Sequence, residues 1–166
     1  MKHADRTPIA DLPAPTSATS LSTTVRVRVR YCECDPMNVA HHAAFIPWLE
    51  LARTELLRTS GVSYAHLEAA GVFLVVVRLD CRYKLPARYD DVLEIRVRVS
   101  RATRVKIEHE YDIFRISGEV NPATLAGGTA TDLLMSATTT LGCVDAHAKI
   151  RELPAWLASI DPASHS

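Results

Sequence analysis

The chain has 166 residues, enough for one domain with a single core and too few for a second catalytic domain. Its 19 basic and 19 acidic residues cancel to a formal net charge of zero, so charge recommends neither nucleic acid nor an anionic membrane as the main partner. No run is apolar for long enough to span a bilayer and no secretory signal is evident. The four cysteines are scattered, three of them in apparent strands, which reads as a cytoplasmic protein with reduced thiols.

Residues 1–23 contain Pro8, Pro13 and Pro15 followed by a Ser/Thr-rich tract, a composition too poor in apolar area to offset ordering, and are expected to be a disordered extension. Val25, Val27 and Val29 then alternate with Arg26, Arg28 and Arg30, the period-two signature of a half-buried strand that would carry Tyr31 on its valine face. Phe45, Leu49, Ala52 and Leu56 recur at helical spacing and predict a helix over residues 44–59, with Pro47 tolerated in its first turn. Ser60-Gly61 stops that helix, and Ser63 caps a short one running to about Ala70.

A β-rich run follows. Strands are predicted over residues 72–83 and 92–99, separated at Pro86, with a hairpin turn at 100–103. The next strand places Val105, Ile107, His109, Tyr111 and Ile113 on one side, with Lys106, Glu108, Glu110 and Asp112 on the other. Gly118, Asn121-Pro122 and Gly127-Gly128 mark residues 117–129 as a long connection, and residues 131–144 supply the last strand. Residues 153–157 read as a tail docked by Trp156, and 158–166 as a flexible end, leaving one domain over 24–157. Strand, long helix, short helix and four strands predict an α+β fold, an antiparallel sheet of about five strands wrapped around a long central helix.

Residues 31–45 concentrate a phenol, two carboxylates and two imidazoles where a strand gives way to a helix. At such a helix start, free backbone N–H groups and the positive end of the macrodipole can hold a developing negative charge. Asp35 reads either as a reactive carboxylate or as the turn residue that Asp before Pro often is. His42 can move a proton near neutrality or simply hydrogen-bond at the helix entrance, and His41 points elsewhere.

The segment resembles the hotdog-fold acyl-CoA thioesterases, in particular the 4-hydroxybenzoyl-CoA thioesterase and YbgC-like branch. The likeness rests on Tyr31, Glu33, Asp35-Pro36-Met37, His42 seven residues after the aspartate, Trp48-Leu49-Glu50, and the later run over residues 75–91 with its Pro86-Ala87 turn. It covers most of residues 24–157. Where many members have Asn two residues after the histidine, this chain has Ala44.

The resemblance implies hydrolysis of an acyl thioester, with Asp35 as nucleophile or general base, the backbone N–H of His42 polarising the carbonyl, and Tyr31 in the active site. It implies a homodimer or homotetramer with the site between subunits, and no cofactor. The thiol would be CoA or an acyl carrier protein. A nucleotide phosphate would be met by some of Arg88, Arg101, Arg104 and Lys106, each otherwise a solvated surface charge. A non-catalytic thioester-binding protein is the reading from a different class.

Three further features read as structural. Cys32 and Cys34 beside the histidine pair do not match a zinc spacing, so no metal is expected. Glu50 pairs with Arg53 or a strand residue. His109 is expected to be a satisfied core or interface histidine.

Overall fold

The computed structural model describes residues 21–158. Five antiparallel strands form one sheet in the order β1-β3-β4-β5-β2, with β1 at Ser22–Arg28, β2 at Phe73–Tyr83, β3 at Val92–Ala102, β4 at Lys106–Val120 and β5 at Gly127–Val144. Helix α1, Phe45–Thr59, lies across β1 and β3, α2 spans Tyr64–Ala69, and a short α3, Ala155–Ala158, follows the last strand. The predicted α+β architecture is the one observed. None of the described helices is long and apolar enough to cross a membrane.

The sheet and helix meet because their patterns match. Phe45, Trp48, Leu49, Ala52, Leu56 and Leu57 form the buried stripe of α1. It faces Leu93, Ile95, Val97 and Val99 of β3 and Ile107, Tyr111 and Ile113 of β4, all buried at alternate positions. The outer face of the sheet is charged. There Glu94 accepts from Arg26 and Arg96, and Arg96 lies over the Phe114 ring at 4.4 Å.

Several boundaries differ from expectation. β1 ends at Arg28, so Tyr31 is not on its valine face; it starts a 3-10 turn, Tyr31–Glu33, and is 80% exposed. The strand is stopped by distant partners: Val29 donates to Asp91 O at 2.9 Å and accepts from Asp90 N at 3.0 Å. Cys32 falls on that turn and Cys34 makes only a single bridge with Ala40, so two cysteines, Cys81 and Cys143, lie in strands, not three.

β3 continues through Ala102 past a bulge between Val99 and Arg101, so the turn expected at 100–103 sits later, clasped by Thr103 and Lys106. The long connection expected over 117–129 is mostly strand. β4 runs to Val120 and β5 starts at Gly127, and Arg26 donates to Leu125 O and Gly127 O, tying their hairpin tip to β1. Gly127 and Gly128 are needed there: φ is positive at both, and a Cβ on Gly128 would meet Ile116 Cγ2 at 2.5 Å.

The strand carrying His109 and Tyr111 lies between β3 and β5; the edges are β1 and β2. His109 is buried, yet its Nδ1 has no hydrogen-bond partner among the described residues, so it is not the satisfied histidine expected. Trp156 packs half-buried against the core as expected, beside the buried Leu153 and Leu157. The extension expected over 1–23 lies outside the described residues except for 21–23, which enter β1, and the flexible end expected over 158–166 lies outside them after Ala158.

Candidate active site

Between β1 and α1 the backbone makes a closed loop. Asp35 N–H donates to Val39 O at 2.9 Å, Asn38 N–H returns to Asp35 O at 2.9 Å, and His41 N–H donates to Glu33 O at 2.8 Å. Asn38 takes φ 60°, a left-handed conformation that Asn tolerates. The Asp35 side chain joins the turn: Oδ1 accepts from Met37 N–H at 2.8 Å, the Asx geometry of an aspartate that starts a turn. Its Oδ2 takes no hydrogen bond from the described residues and stays available.

Seven residues on, a 3-10 turn, His42–Ala44, leads into α1. His41 caps it through Nδ1, which accepts from Ala43 N–H at 3.2 Å. The His42 N–H has no acceptor among the described residues, so the helix entrance presents a free donor in the same connection as the free Asp35 oxygen. The two imidazoles are both exposed, with ring centroids 4.1 Å apart. The His42 carbonyl accepts from the Tyr83 hydroxyl at 3.0 Å, and the Tyr83 ring stands edge-on to Phe45 at 5.3 Å.

The loop is braced by Glu33. Its carboxylate accepts from Arg30 N–H at 2.7 Å, from the Arg30 guanidinium at 2.8 Å and from Trp48 Nε1–H at 3.0 Å. Burial pushes the Glu33 carboxyl up, but the bonds from Arg30 and Trp48 outweigh it and hold the group below the usual carboxylate range. A second brace comes from the turn before β3, where Ala87 O accepts from Ala40 N–H at 2.8 Å. There the Tyr89 ring meets Tyr31 edge-on at 5.7 Å.

Asp35 and His42 thus lie on two successive turns of one connection between β1 and α1, with Tyr31 exposed on the turn before them. The four basic residues do not gather. Arg88 lies on the Ala87 turn at the Asp35 end of the sheet, whereas Arg101, Arg104 and Lys106 lie at the far end of β3, about 30 Å away at the rise of a strand. Arg104 pairs there with Glu152 at 3.6 Å. Glu50 pairs with Arg53 on α1 at 2.8 Å. Sequence reasoning gave no role to Glu33, Trp48, Tyr83 or Tyr89. Glu33 and Trp48 carried a signal, since both are among the residues on which the family resemblance rests; the partners of Tyr83 and Tyr89 are set only by the tertiary fold.

Residues 29–160 match the thioesterase-like superfamily. The acyl-CoA thioesterase YbgC of Haemophilus influenzae is 33% identical over 100 residues, 60% of this chain and 74% of that protein. The acyl-CoA thioester hydrolase YbgC of Escherichia coli is 40% identical over a shorter stretch of 74 residues, 45% of this chain and just over half of its own length at 55%. Among solved structures, the DHNA-CoA thioesterase from Staphylococcus aureus superposes with a TM-score of 0.69 at 26% identity, covering 80% of each chain. With its helix held in a five-stranded antiparallel sheet and its match running from the end of β1 past α3, the chain belongs to the thioesterase-like superfamily and has the hotdog fold.

Proposed function

We propose that the protein hydrolyses an acyl-CoA thioester to a free carboxylic acid and CoA, with Asp35 as the reacting carboxylate. The observation that carries this reading is that one short connection holds both a carboxylate oxygen free of hydrogen bonds and an unpaired N–H at a helix entrance, in a chain of this superfamily. Asp35 acts on the thioester carbon, as nucleophile or by taking a proton from an attacking water. The carbonyl oxygen gains negative charge and is met by the His42 N–H and the positive end of α1. The C–S bond then breaks and the thiolate takes a proton from the His42 imidazole; where Asp35 has attacked directly, the acyl group remains on it as an anhydride that a water hydrolyses to the free acid and the restored carboxylate. Tyr31, exposed beside the turn, orients the acyl group.

The working unit in this reading is a dimer or tetramer in a reducing cytoplasm. Edge strand β2 exposes Val75, Val76, Val77 and Leu79, an apolar row that a second copy would cover, and all four cysteines are free thiols. The separation of Arg88 from the other three bases favours a second reading, in which the arm is carried by an acyl carrier protein and no nucleotide is gripped within one chain.

The experiment is thiol release from short, branched, aromatic and long acyl-CoAs at two ionic strengths, beside acyl-pantetheine. Turnover of at least one acyl-CoA, with a Michaelis constant that rises with salt only when the nucleotide is present, supports the reading. Turnover insensitive to salt for both substrates transfers it to a carrier protein, and no turnover of any thioester ends it.

A further inference from the structure

Between the C-terminal half of α1 and the sheet lies a cavity of about 20 Å³, room for one water, remote from the Asp35 turn. Its walls are apolar where Leu56, Leu57, Leu74, Val99, Ile107 and Leu157 meet. Into it also come Arg53 and Ser60 from α1 and its C-cap, Tyr64 from α2, and His109 from β4. Arg53 Nε, Ser60 Oγ and His109 Nδ1 are all buried, and none has a hydrogen-bond partner among the described residues. These residues are only 8%, 1% and 4% exposed. Orphaned polar atoms at that depth each cost about 1–3 kcal/mol, so three around one small space is a pattern to be explained rather than packing noise.

The three atoms define their ligand. Arg53 Nε offers a proton and can accept none, while a neutral imidazole offers a lone pair at one ring nitrogen and Ser60 Oγ can do either. The charge of Arg53 is already met on its outer side by Glu50, so the cavity does not call for an anion. His109 stays neutral: burial first, and the Arg53 charge second, push it down to about 3. What satisfies one obligate donor, one acceptor and one hydroxyl together is a small neutral molecule that both gives and takes hydrogen bonds.

We propose that this cavity is a binding site for a single structural water, which accepts from Arg53 Nε–H and donates to His109 Nδ1 and Ser60 Oγ, bridging α1 to β4. Three hydrogen bonds is the usual complement of a buried water. The bridge fixes how α1 is turned about its axis against the sheet, and Leu157 of the C-terminal segment closes the site.

The test is an atomic-resolution crystal structure of the intact protein, with nitrogen NMR of His109 and a count of long-lived internal waters by magnetic relaxation dispersion. The expected result is a water peak within hydrogen-bond distance of all three atoms, an unprotonated Nδ1, and a loss of one long-lived water in both Ser60→Ala and His109→Leu. Two variants are used so that one misfolded protein does not decide the matter. Direct bonds among the three side chains with no density between them, a protonated Nδ1, a site that takes up bromide with an anomalous signal, or an unchanged water count in folded variants would each overturn the proposal.

Discussion

Trp48, in the first turn of α1, donates its indole N–H to the carboxylate of Glu33 at 3.0 Å, joining the central helix to the loop that holds Asp35. This bond sets the helix entrance against the reactive turn, and it does so with a carboxylate whose side chain is only 8% exposed. Replacing Trp48 with Phe keeps an aromatic ring beside Phe45 but removes one hydrogen bond to the charged Glu33 carboxylate, whose two oxygens then rest on Arg30 alone. The expected cost is about 1–3 kcal/mol, read as a lower urea midpoint at unchanged slope. A midpoint equal to that of the unaltered protein would show that the bond contributes nothing.

Asp35→Asn retains the turn, because the amide oxygen can still accept from Met37 N–H. It removes the carboxylate that the proposed mechanism uses. Turnover is expected to fall by about a hundredfold or more, with the Michaelis constant little changed. The assignment of Asp35 does not survive near-normal turnover in a correctly folded Asn variant.

The structure gives His41 a capping role, and the proposed mechanism gives His42 a chemical one. His41→Ala removes the cap on Ala43 N–H and should lower stability by about 1 kcal/mol. His42→Ala should leave stability nearly unchanged and reduce turnover, though less than Asp35→Asn, since its main-chain donor survives. Thermal melts and kinetics on both variants distinguish this from the opposite pattern.

Edge strand β2 gives a test of assembly. Val76→Lys adds a charge to the exposed apolar row, and charged residues on an edge oppose strand pairing between chains. Sedimentation should then show a shift toward monomer with a parallel loss of activity. A Lys variant that sediments as the unaltered protein does would place the subunit contact elsewhere.

His109 predicts an acid limit to stability. Its imidazole stays neutral in the fold down to about pH 3, whereas in the unfolded chain it protonates from 6.5 downward. Between those values the unfolded state binds more protons, so stability falls as pH falls, by up to about 1.4 kcal/mol per pH unit. His109→Leu should flatten that dependence in urea titrations between pH 7 and mildly acid conditions. Parallel slopes for the two proteins would mean that His109 titrates normally in the fold.

The repeating parts of this fold were legible because they are periodic. The 3.6-residue recurrence of Phe45, Leu49, Ala52 and Leu56 located α1, and the alternation of Ile107, His109, Tyr111 and Ile113 located the buried face of β4. Tyr31 was misplaced because it continues the valine alternation in sequence, while the strand is ended by Asp90 and Asp91, about sixty residues away. The β4–β5 hairpin was taken for a loop because its glycines are turn signals, and nothing local reveals that Arg26 grips its tip. Within the site, Asp35 and His42 stand close in sequence and could be found together, whereas Tyr83 and Tyr89 reach them only through folding.

The bond from Ala40 to Ala87 has a consequence for how the protein is made. Ala87 follows Asp35 by 52 residues, and Asp90 and Asp91, which stop β1, come later still. Synthesis delivers the N-terminus first, so the aspartate, the histidines and the whole of α1 leave the ribosome before the segment that braces them exists. A nascent chain or fragment ending before residue 87 therefore carries Asp35 and His42 without the backbone bond that braces their loop. Competence is gained late, and only by chains that have also supplied the beginning of β3.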